Sequence, residues 1–399
     1  MNIDTNDTLK KLEEKGLLRS PRLVAHAAGR SVIVDGKEAL ELCSNDYLGL
    51  STHPAMKEAA IAATAKYGTG AGASRLVSGT MAPHLQLETS IKEFMGAEDT
   101  LLFNSGWHAN TGIIPALATR TTDIFTDRLD HASIIDGCLA SRARIKRYPH
   151  ADTERLEELL KGSSVASKLI ITDGLFSMDG DLAPLGKLSD LAGRYDARLI
   201  IDDAHGIGTL GANGRGSTEE LGLDIGELLA NGTIVIGTFG KAFGSYGAFA
   251  IANKDTIKLL TNKARSFIYS TALPPAVCMA SIKAIDIVRT EPERRARLRK
   301  NSLLMRELLD NYGLKIINAD PAGNKGSSQI IPILIGKARK ATEVAERLLH
   351  NGVFIQAIRP PTVAAGTARL RITVSSEHTG DELREAATLI QETISGQGH

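Results

Sequence analysis

The 399-residue chain carries 47 Lys and Arg against 46 Asp and Glu, a formal net charge of +1, and 43% of its residues are hydrophobic. This balance gives no broad attraction to nucleic acid or to an anionic membrane, and the length is sufficient for one large domain and a smaller one. The three cysteines are scattered without CxxC spacing, which favours a reducing compartment over a disulfide framework or a zinc site.

The first fifty residues, 1–50, are predicted to form an N-terminal arm. A short polar helix precedes two strands that turn at Asp35-Gly36, a dipeptide typical of β-hairpins. The opening segment lacks the apolar core of a signal peptide, and no apolar run reaches the ~18 residues of a membrane span. We therefore expect a cytoplasmic protein.

From Pro54 onward, short apolar strands alternate with helical segments. The strand candidates are rich in Ile, Leu and Val and lie at 99–106, 122–127, 167–174, 197–206 and 233–240. Helical segments such as 152–162 and 184–196 lie between them. This alternation predicts an α/β fold, with a mostly parallel central sheet covered by helices, in a large domain at 51–290.

The pattern changes after residue 274. One or two long helices are predicted over 274–313. They are followed by strand-like runs at 329–336, 353–361 and 368–376, by a helix near 340–351, and by a last helix from Gly380. We expect a smaller α+β C-terminal domain at 291–399.

Polar residues follow every predicted strand of the large domain. They are Ser105 to Trp107, Asp127, Asp173 with Ser177, Asp202 with His205, and Thr238 with Lys241. In parallel α/β sheets, ligands bind at the carboxyl ends of the strands. These side chains should therefore meet at one edge of the sheet.

Two of these segments allow more than one interpretation. The segment GIGTLG (206–211) has the GxGxxG pattern, but further glycines follow where a dinucleotide site needs a helix, so we interpret it as the wall of a site. The segment DDAHG (202–206) could bind a metal, although no second cluster with ligand spacing accompanies it. It could also be purely structural, or Asp202 could pair with a ring N–H⁺ of an aromatic ligand while His205 bonds a ring oxygen.

Lys241 lies in TFGKAFGSYG (238–247), directly after an apolar strand, although burying an ammonium is costly. Taken alone, His131 is more typical of an ordinary loop histidine than of a site, and the turn at 105–112 is as typical of an ordinary strand–helix turn as of an anion site. Together, a lysine able to form a Schiff base, a strand-end aspartate and a helix N-terminus that can bind phosphate predict a pyridoxal phosphate site.

Several long motifs, in the same order, resemble the α-oxoamine synthases, a group of fold-type I pyridoxal phosphate enzymes. They are SNDYLGL (44–50), GTGAGASRLVSGT (68–80), LDHAS (129–133), GLFSMDGDLAPL (174–185), DDAHGIGTLGANGRG (202–216), TFGKAFG (238–244) and YSTALPP (269–275). The segments 16–22 and 357–373 look most like the biotin-pathway branch, which condenses L-alanine with a pimeloyl thioester.

The resemblance implies roles for individual residues. Lys241 is expected to hold pyridoxal 5'-phosphate as a covalent aldimine and to form the catalytic set with His131 and Asp202. The cofactor-binding residues implied are Gly106, Trp107, Ser177, Asp202, His205, Thr238, Lys241 and Thr271. Thr271, or its neighbour Ser270, is expected to reach the phosphate of the partner subunit in a homodimer. The substrate-binding residues implied are Arg19, Asn45, His131, Thr362 and Arg371.

The expected substrates are small molecules, an amino acid and an acyl thioester whose carrier is coenzyme A or acyl carrier protein. No metal, nucleic acid or membrane partner is expected. The alternatives are a glycine C-acetyltransferase or an enzyme that does both reactions, and a non-catalytic binding protein of the same fold. The presence of Lys241, Asp202 and His131 argues against the last.

Overall fold

The computed structural model describes residues 4–27, 30–317 and 328–396. Its helices are α1 (Thr5–Glu14), α2 (Pro54–Tyr67), α3 (Ala82–Met95), α4 (Gly106–Leu117), α5 (Ala132–Ser141), α6 (Thr153–Lys161), α7 (Leu185–Arg194), α8 (Ser217–Glu220), α9 (Ile225–Ala230), α10 (Lys254–Lys263), α11 (Arg265–Ile268), α12 (Pro275–Thr290), α13 (Pro292–Asn311), α14 (Ala338–His350) and α15 (Gly380–Ser395). Its strands are β1 (Val24–Ala27), β2 (Ser31–Val34), β3 (Lys37–Glu41), β4 (Asp99–Phe103), β5 (Thr122–Asp127), β6 (Arg144–Tyr148), β7 (Ser167–Asp173), β8 (Arg198–Asp202), β9 (Ile234–Thr238), β10 (Ala248–Ala252), β11 (Ile330–Gly336), β12 (Val353–Phe354), β13 (Gln356–Ile358) and β14 (Ala368–Thr373).

A seven-stranded sheet in the order β4-β10-β9-β8-β7-β5-β6 forms the centre of the protein. The strands run parallel except β10, which is antiparallel to both neighbours. All five predicted strands are present, so the mostly parallel sheet is confirmed. The sequence analysis missed β6, whose RIKRY sequence is charged because it lies at the sheet edge, and β10, which follows a glycine-rich turn.

The central sheet is buried on both faces, because alternate residues of each strand enter different apolar clusters. On β8, Ile200 packs with α4, α5 and α10 on one face, whereas Leu199 and Ile201 pack with α3, α6, α7 and α12 on the other. A strand covered on both faces reads as a continuous apolar run. Because the strands are packed on both faces, the residues at their carboxyl ends, such as Asp173 and Asp202, are held in fixed positions relative to each other.

The N-terminal arm is joined to the C-terminal part of the chain. Its hairpin turns at Asp35 and Gly36, with φ of 50° and 82°, as predicted. The arm strand β3 pairs in parallel with β12. The domain division at residues 50 and 290 stays a prediction, and residues 1–3, 28–29, 318–327 and 397–399 of those segments lie outside the described residues.

The C-terminal elements agree with the sequence analysis. The long segment 274–313 forms two helices, α12 and α13, separated at Glu291 because Pro292 begins a new helix. A three-stranded antiparallel sheet, β11-β14-β13, follows. No helix in the described ranges is long and apolar enough to cross a membrane. The three cysteines are free thiols, with Cys138 and Cys278 buried and Cys43 half-buried.

The close packing of α4 on α5 depends on a glycine. A Cβ added at Gly137 of α5 would lie 2.7 Å from the Asn110 carbonyl oxygen of α4, whereas one added at Gly193 of α7 would meet nothing within 4 Å. We predict that Gly137→Ala lowers the free energy of unfolding by ~1–3 kcal/mol, because the two helices must separate.

The matched control, Gly193→Ala, should raise the free energy of unfolding by up to ~1 kcal/mol, because alanine restricts the unfolded chain. Urea unfolding of both variants, followed by circular dichroism, measures the two effects. Equal effects of the two substitutions would contradict the packing argument.

Candidate active site

Acidic residues end the neighbouring strands β7 and β8, and the pairing of these strands sets Asp173 opposite Asp202. Both are buried at the carboxyl edge of the sheet. The adjacent strand β9 ends at Thr238 and leads into residues 239–247, called here the Lys241 loop. The convergence of strand-end chemistry expected from the sequence is therefore present on β7, β8 and β9.

The Lys241 loop is a compact turn that packs against residues 50–51. Gly244 donates to the Lys241 carbonyl at 2.8 Å, and Ser245 donates to the Phe239 carbonyl at 2.8 Å. Gly244 has a φ of 57°, and a Cβ there would lie 2.2 Å from the amide nitrogen of Ser51. Glycine is required at this position both for the backbone conformation and for the close approach.

The charge state of Lys241 is set by its surroundings. Its side chain is half-buried, and its amine donates no hydrogen bond to any residue in the described part of the chain. Loss of hydration lowers the pKa of Lys241 to about 8, although the carboxylates of Asp202 and Asp173 raise it. The amine is therefore partly neutral near physiological pH.

A chain of hydrogen bonds connects Asp202 to His131. The Asn110 amide donates to Asp202 Oδ2 at 2.6 Å and to Ser133 Oγ at 2.9 Å. Ser133 Oγ lies 2.8 Å from His131 Nδ1. This chain links the end of β8 to α4 and to the start of α5, and it fixes the orientation of the Asp202 carboxylate.

The same chain determines the tautomer of His131. Its Nδ1 accepts from the Ser133 amide at 3.3 Å, so the ring proton of the neutral imidazole is on Nε2. Burial lowers the pKa of His131, and the Lys241 charge lowers it further against the effect of Asp202. Its ring meets that of Trp107 edge-on, with centroids 6.3 Å apart.

Two buried carboxyl groups, those of Asp173 and Asp130, hold the backbone at His131 in place. Asp173 Oδ2 accepts from the His131 amide at 2.8 Å, and Asp130 Oδ1 accepts from the Asp173 amide at 3.0 Å. Burial raises the pKa of Asp173 well above its usual value, and neighbouring Asp202 and Asp130 raise it further. Asp173 therefore supports the loop by accepting the His131 amide.

A second network surrounds Arg371 on β14. Tyr47 Oη lies 2.7 Å from His205 Nδ1 and donates to Asn45 Oδ1 at 3.0 Å. Arg371 Nε donates to the Ser177 carbonyl at 2.5 Å, whereas its other nitrogens reach Asn45 Oδ1 and Tyr47 Oη only at 3.4 Å. The structure thus brings the predicted residues Asn45, Ser177, His205 and Arg371 together.

Arg371 is buried, yet it has no ion pair among the described residues. An unpaired buried guanidinium is costly, so its position is suited to an incoming carboxylate. Burial lowers the pKa of His205 well below its usual value, and the charges of Lys241 and Arg371 lower it further. His205 is therefore neutral and adds no competing positive charge.

The start of α4 is open. The Gly106 and Trp107 amides have no acceptor in the described part of the chain, and a Cβ at Gly106 would meet no atom within 4 Å. Such amides at a helix N-terminus form an anion site. The Thr238 hydroxyl donates to the Gly247 carbonyl at 2.9 Å, and its contact with the phosphate stays a prediction.

The remaining predicted residues lie outside these networks in the single chain. Arg19 donates to the Pro360 carbonyl at 3.0 Å, and Thr362 closes a turn by donating its amide to Arg359. Ser270 and Thr271 lie beside the exposed segment 73–80, where Thr271 pairs with Ser74. No hydrogen bond between described residues links any of these four to Lys241 or Asp202.

The second aspartate of DDAHG has a structural role. Asp203 receives two hydrogen bonds from Ser217, both of 2.6 Å, and so fixes the glycine-rich loop that follows β8. No helix begins within GIGTLG, since α8 starts at Ser217. Among the described residues, no group of three or more His, Cys, Asp or Glu side chains could hold a metal ion.

The chemistry of these groups fits pyridoxal 5'-phosphate. The free amides at the start of α4 suit the phosphate, and Asp202 suits a protonated pyridine nitrogen. His131 Nε2 and the Ser177 hydroxyl have no partner among the described residues and can contact the ring or its oxygen. The Lys241 amine, with its lowered pKa, suits the aldehyde.

Several residues with clear positions in the site were missed by the sequence analysis. They are Tyr47, Asn110, Asp130 and Ser133. Tyr47 stands inside the quoted SNDYLGL motif, and Asp130 and Ser133 stand inside the quoted LDHAS motif, so these three had a signal in the sequence. Asn110 and Ser133 are ordinary helix residues, and their contact depends on how α4 packs on α5.

Comparisons with known proteins agree with this site. Residues 37–390 match the family of aminotransferases of class I and II. The 8-amino-7-oxononanoate synthase of Geobacter sulfurreducens is 49% identical over 382 residues, 95% of this chain and 94% of that protein. Among solved structures, serine palmitoyltransferase (SPT) with a pyridoxal phosphate (PLP) internal aldimine superposes with a TM-score of 0.89 and 28% sequence identity. The superposition covers 98% of this chain and 96% of that one. The 8-amino-7-oxononanoate synthase of Francisella tularensis superposes with a TM-score of 0.76 and 30% sequence identity. The superposition covers 90% of this chain and 98% of that one.

The lowered pKa of Lys241 leads to a measurable pH dependence. Only the neutral amine is nucleophilic, so acetylation of Lys241 by trace acetic anhydride in the cofactor-free protein should rise with pH with a midpoint near 8. A reference peptide lysine should rise with a midpoint near pH 10.4. Mass spectrometry of the Lys241 peptide measures the midpoint. A midpoint equal to that of the reference peptide would contradict the assignment.

Proposed function

The chain belongs to the aminotransferase class I and II family, as an α-oxoamine synthase that uses pyridoxal phosphate, and we propose that it is an 8-amino-7-oxononanoate synthase. It condenses L-alanine with a pimeloyl thioester, releasing carbon dioxide and the thiol, in biotin biosynthesis. Its substrates are small molecules, and the pimeloyl carrier is coenzyme A or acyl carrier protein. The proposal depends above all on one observation: a half-buried lysine, a buried carboxylate and a buried unpaired arginine converge at the sheet edge.

We propose the following cofactor contacts. Gly106 and Trp107 donate their amides to the phosphate, Asp202 pairs with the ring nitrogen, His131 covers the ring face, and Lys241 carries the covalent link. The bound cofactor supplies a protonated ring that accepts the electron pair left on the amino acid's α-carbon. The negative charge of Asp202 would keep that nitrogen protonated. The Asn110 amide donates to Asp202 Oδ2 at 2.6 Å and so holds the carboxylate in place.

Proton transfer is assigned to Lys241. Its amine has a pKa near 8, so it accepts the α-proton of alanine as a neutral base and returns a proton as an ammonium ion at the same pH. The deprotonated α-carbon attacks the pimeloyl carbonyl carbon, and the thiolate leaves. The product loses its carboxylate as carbon dioxide before Lys241 reprotonates the α-carbon.

Amino-acid binding is assigned to Arg371. Its Nε is held by the Ser177 carbonyl, which leaves the outer nitrogens for a bidentate contact with the alanine carboxylate. Asn45 lies beside these nitrogens at 3.4 Å and completes the pocket. Arg19 and Thr362 are proposed to contact the acyl thioester together, since Arg19 donates to the Pro360 carbonyl and Thr362 lies in the same 359–362 segment.

Substrate choice tests this function directly. We predict that thiol release is fastest with L-alanine and pimeloyl-CoA, when alanine, glycine and serine are each combined with acetyl-, pimeloyl- and palmitoyl-CoA. Glycine should be poorer than alanine by roughly 10–200-fold in kcat/KM, because one methyl group contributes ~1–3 kcal/mol in an apolar pocket.

Lys241→Ala is the control for non-enzymatic thiol release, and mass spectrometry identifies the product. A higher kcat/KM for glycine with acetyl-CoA would instead identify a glycine C-acetyltransferase.

The active protein is further proposed to be a homodimer with shared sites. Ser270 and Thr271 make no contact with the Lys241 network among the described residues, and exposed apolar side chains surround them. Val77 is 80% exposed and Tyr269 is 71% exposed. Apolar side chains grouped in this way are typical of an interface. A partner subunit would therefore receive the Ser270 or Thr271 hydroxyl at its phosphate.

Complementation between inactive variants tests the shared site. Lys241→Ala and the Ser270→Ala/Thr271→Ala double variant should each be inactive alone. After full exchange at equal concentrations, about half of the dimers are mixed and each mixed dimer has one intact site of two, so the mixture should recover roughly a quarter of wild-type activity.

Co-purification through two different tags shows that mixed dimers have formed. Mixed dimers without activity, or a fully active monomer in sedimentation, would contradict the proposal.

A further inference from the structure

A half-buried histidine outside the site joins three segments of the large domain. His150, between β6 and α6, has its Nδ1 3.1 Å from Asp127 Oδ1 and its Nε2 2.7 Å from Asp181 Oδ2. The two carboxylates are 2% exposed. None of the roles described so far involves this group.

The two aspartates depend on His150 to different degrees. Asp127 also accepts the amides of Leu129 at 2.8 Å and Ala151 at 2.7 Å, so its position is fixed without the imidazole. Asp181 Oδ1 is buried without a partner, and among the described residues His150 alone donates to its Oδ2. Loss of His150 would therefore release Asp181 and leave Asp127 in place.

Asp181 belongs to a short hairpin at residues 175–182. The Phe176 amide donates to the Asp181 carbonyl at 2.9 Å, and Leu175 pairs with Leu182. The His150 ring also packs edge-on against Phe176, with centroids 4.5 Å apart. His150 thus contacts both strands of the hairpin at its base, one by a hydrogen bond and one by its ring.

The tip of the 175–182 hairpin contacts the strand that carries Arg371. Asp179 forms an ion pair with Arg369 at 2.5 Å, and the Ser177 carbonyl accepts from Arg371 Nε at 2.5 Å. Ser177 directly follows Phe176. A displacement at the base of the hairpin would therefore move the carbonyl that orients the Arg371 guanidinium.

We propose that His150 is a positioning residue for amino-acid binding, which holds the 175–182 hairpin so that the Ser177 carbonyl orients Arg371. This inference depends on the proposed role of Arg371 in binding the carboxylate of alanine. The charge state of the imidazole supports it: although burial lowers the pKa of His150, its hydrogen bonds to Asp127 and Asp181 raise it to about 10. Both ring nitrogens therefore donate at neutral pH.

Two substitutions separate the contacts of His150. In His150→Gln, the side-chain amide takes the position of Nε2 and keeps the bond to Asp181. In His150→Asn, the amide takes the position of Nδ1 and keeps only the bond to Asp127. The dissociation constant of L-alanine, measured from the visible absorbance of the holoprotein without thioester, should rise about tenfold in His150→Asn and clearly less in His150→Gln, because small displacements near a binding group are costly.

A double-mutant cycle shows whether His150 acts through Arg371. Arg371→Lys should weaken alanine binding by itself, and adding His150→Asn to it should have little further effect, because coupled residues are not additive. In His150→Asn, the KM for the thioester and the retention of cofactor should stay near their wild-type values. His350→Asn, on the exposed end of α14, is the matched control.

The outcomes are distinct. Additive effects in the cycle, or equal alanine affinity in His150→Gln and His150→Asn, would overturn the inference. If His150→Asn does not retain the cofactor, Asp181→Asn is measured in its place, and unchanged alanine binding there would overturn the inference in the same way. A wild-type spectrum that alanine does not alter would refute the proposed function, and with it this inference.

Discussion

The cost of removing an amine from water controls the arrangement of this site. Lys241 can stay at the sheet edge because its pKa falls to about 8 and because Asp202 and Asp173 lie nearby. Burial also shifts the pKa values of the groups around Lys241. His131 and His205 have lowered pKa values, and the raised pKa of Asp173 limits the negative charge beside Asp202. The charges at the site therefore centre on Asp202, on Arg371 and on a lysine that is partly neutral near physiological pH.

Holding these charges in place depends on helix packing as much as on the sheet. Asn110 on α4 connects Asp202 to Ser133 on α5, and Gly137 allows the two helices to approach closely enough for that bond. The catalytic groups are thus supported by neutral hydrogen-bonding residues on rigid elements. Such support fixes orientation without adding charge, which a buried site tolerates poorly.

The sequence alone predicted the strands, the strand-end chemistry and the family, because apolar β-branched runs and the residues that follow them are local signals. It could not predict the contact between Asn110 and Ser133, since these residues are 23 apart in sequence and meet only because two helices pack together. Strand β6 was missed because edge exposure makes its sequence polar. The bond of the Thr238 hydroxyl to Gly247 could not be predicted either, since it depends on the return of the chain at β10.

The two arginines of β14 show how similar residues take different tasks. Arg369 and Arg371 are both buried and, two residues apart on a strand, point to the same face. Arg369 is neutralised by Asp179, whereas the hydrogen bonds of Arg371 to other described residues go only to a carbonyl, an amide and a phenol. The first therefore fastens the 175–182 hairpin to the strand, and the second keeps its charge for a substrate. Because the hairpin contacts both, the structural ion pair also sets the position of the binding arginine.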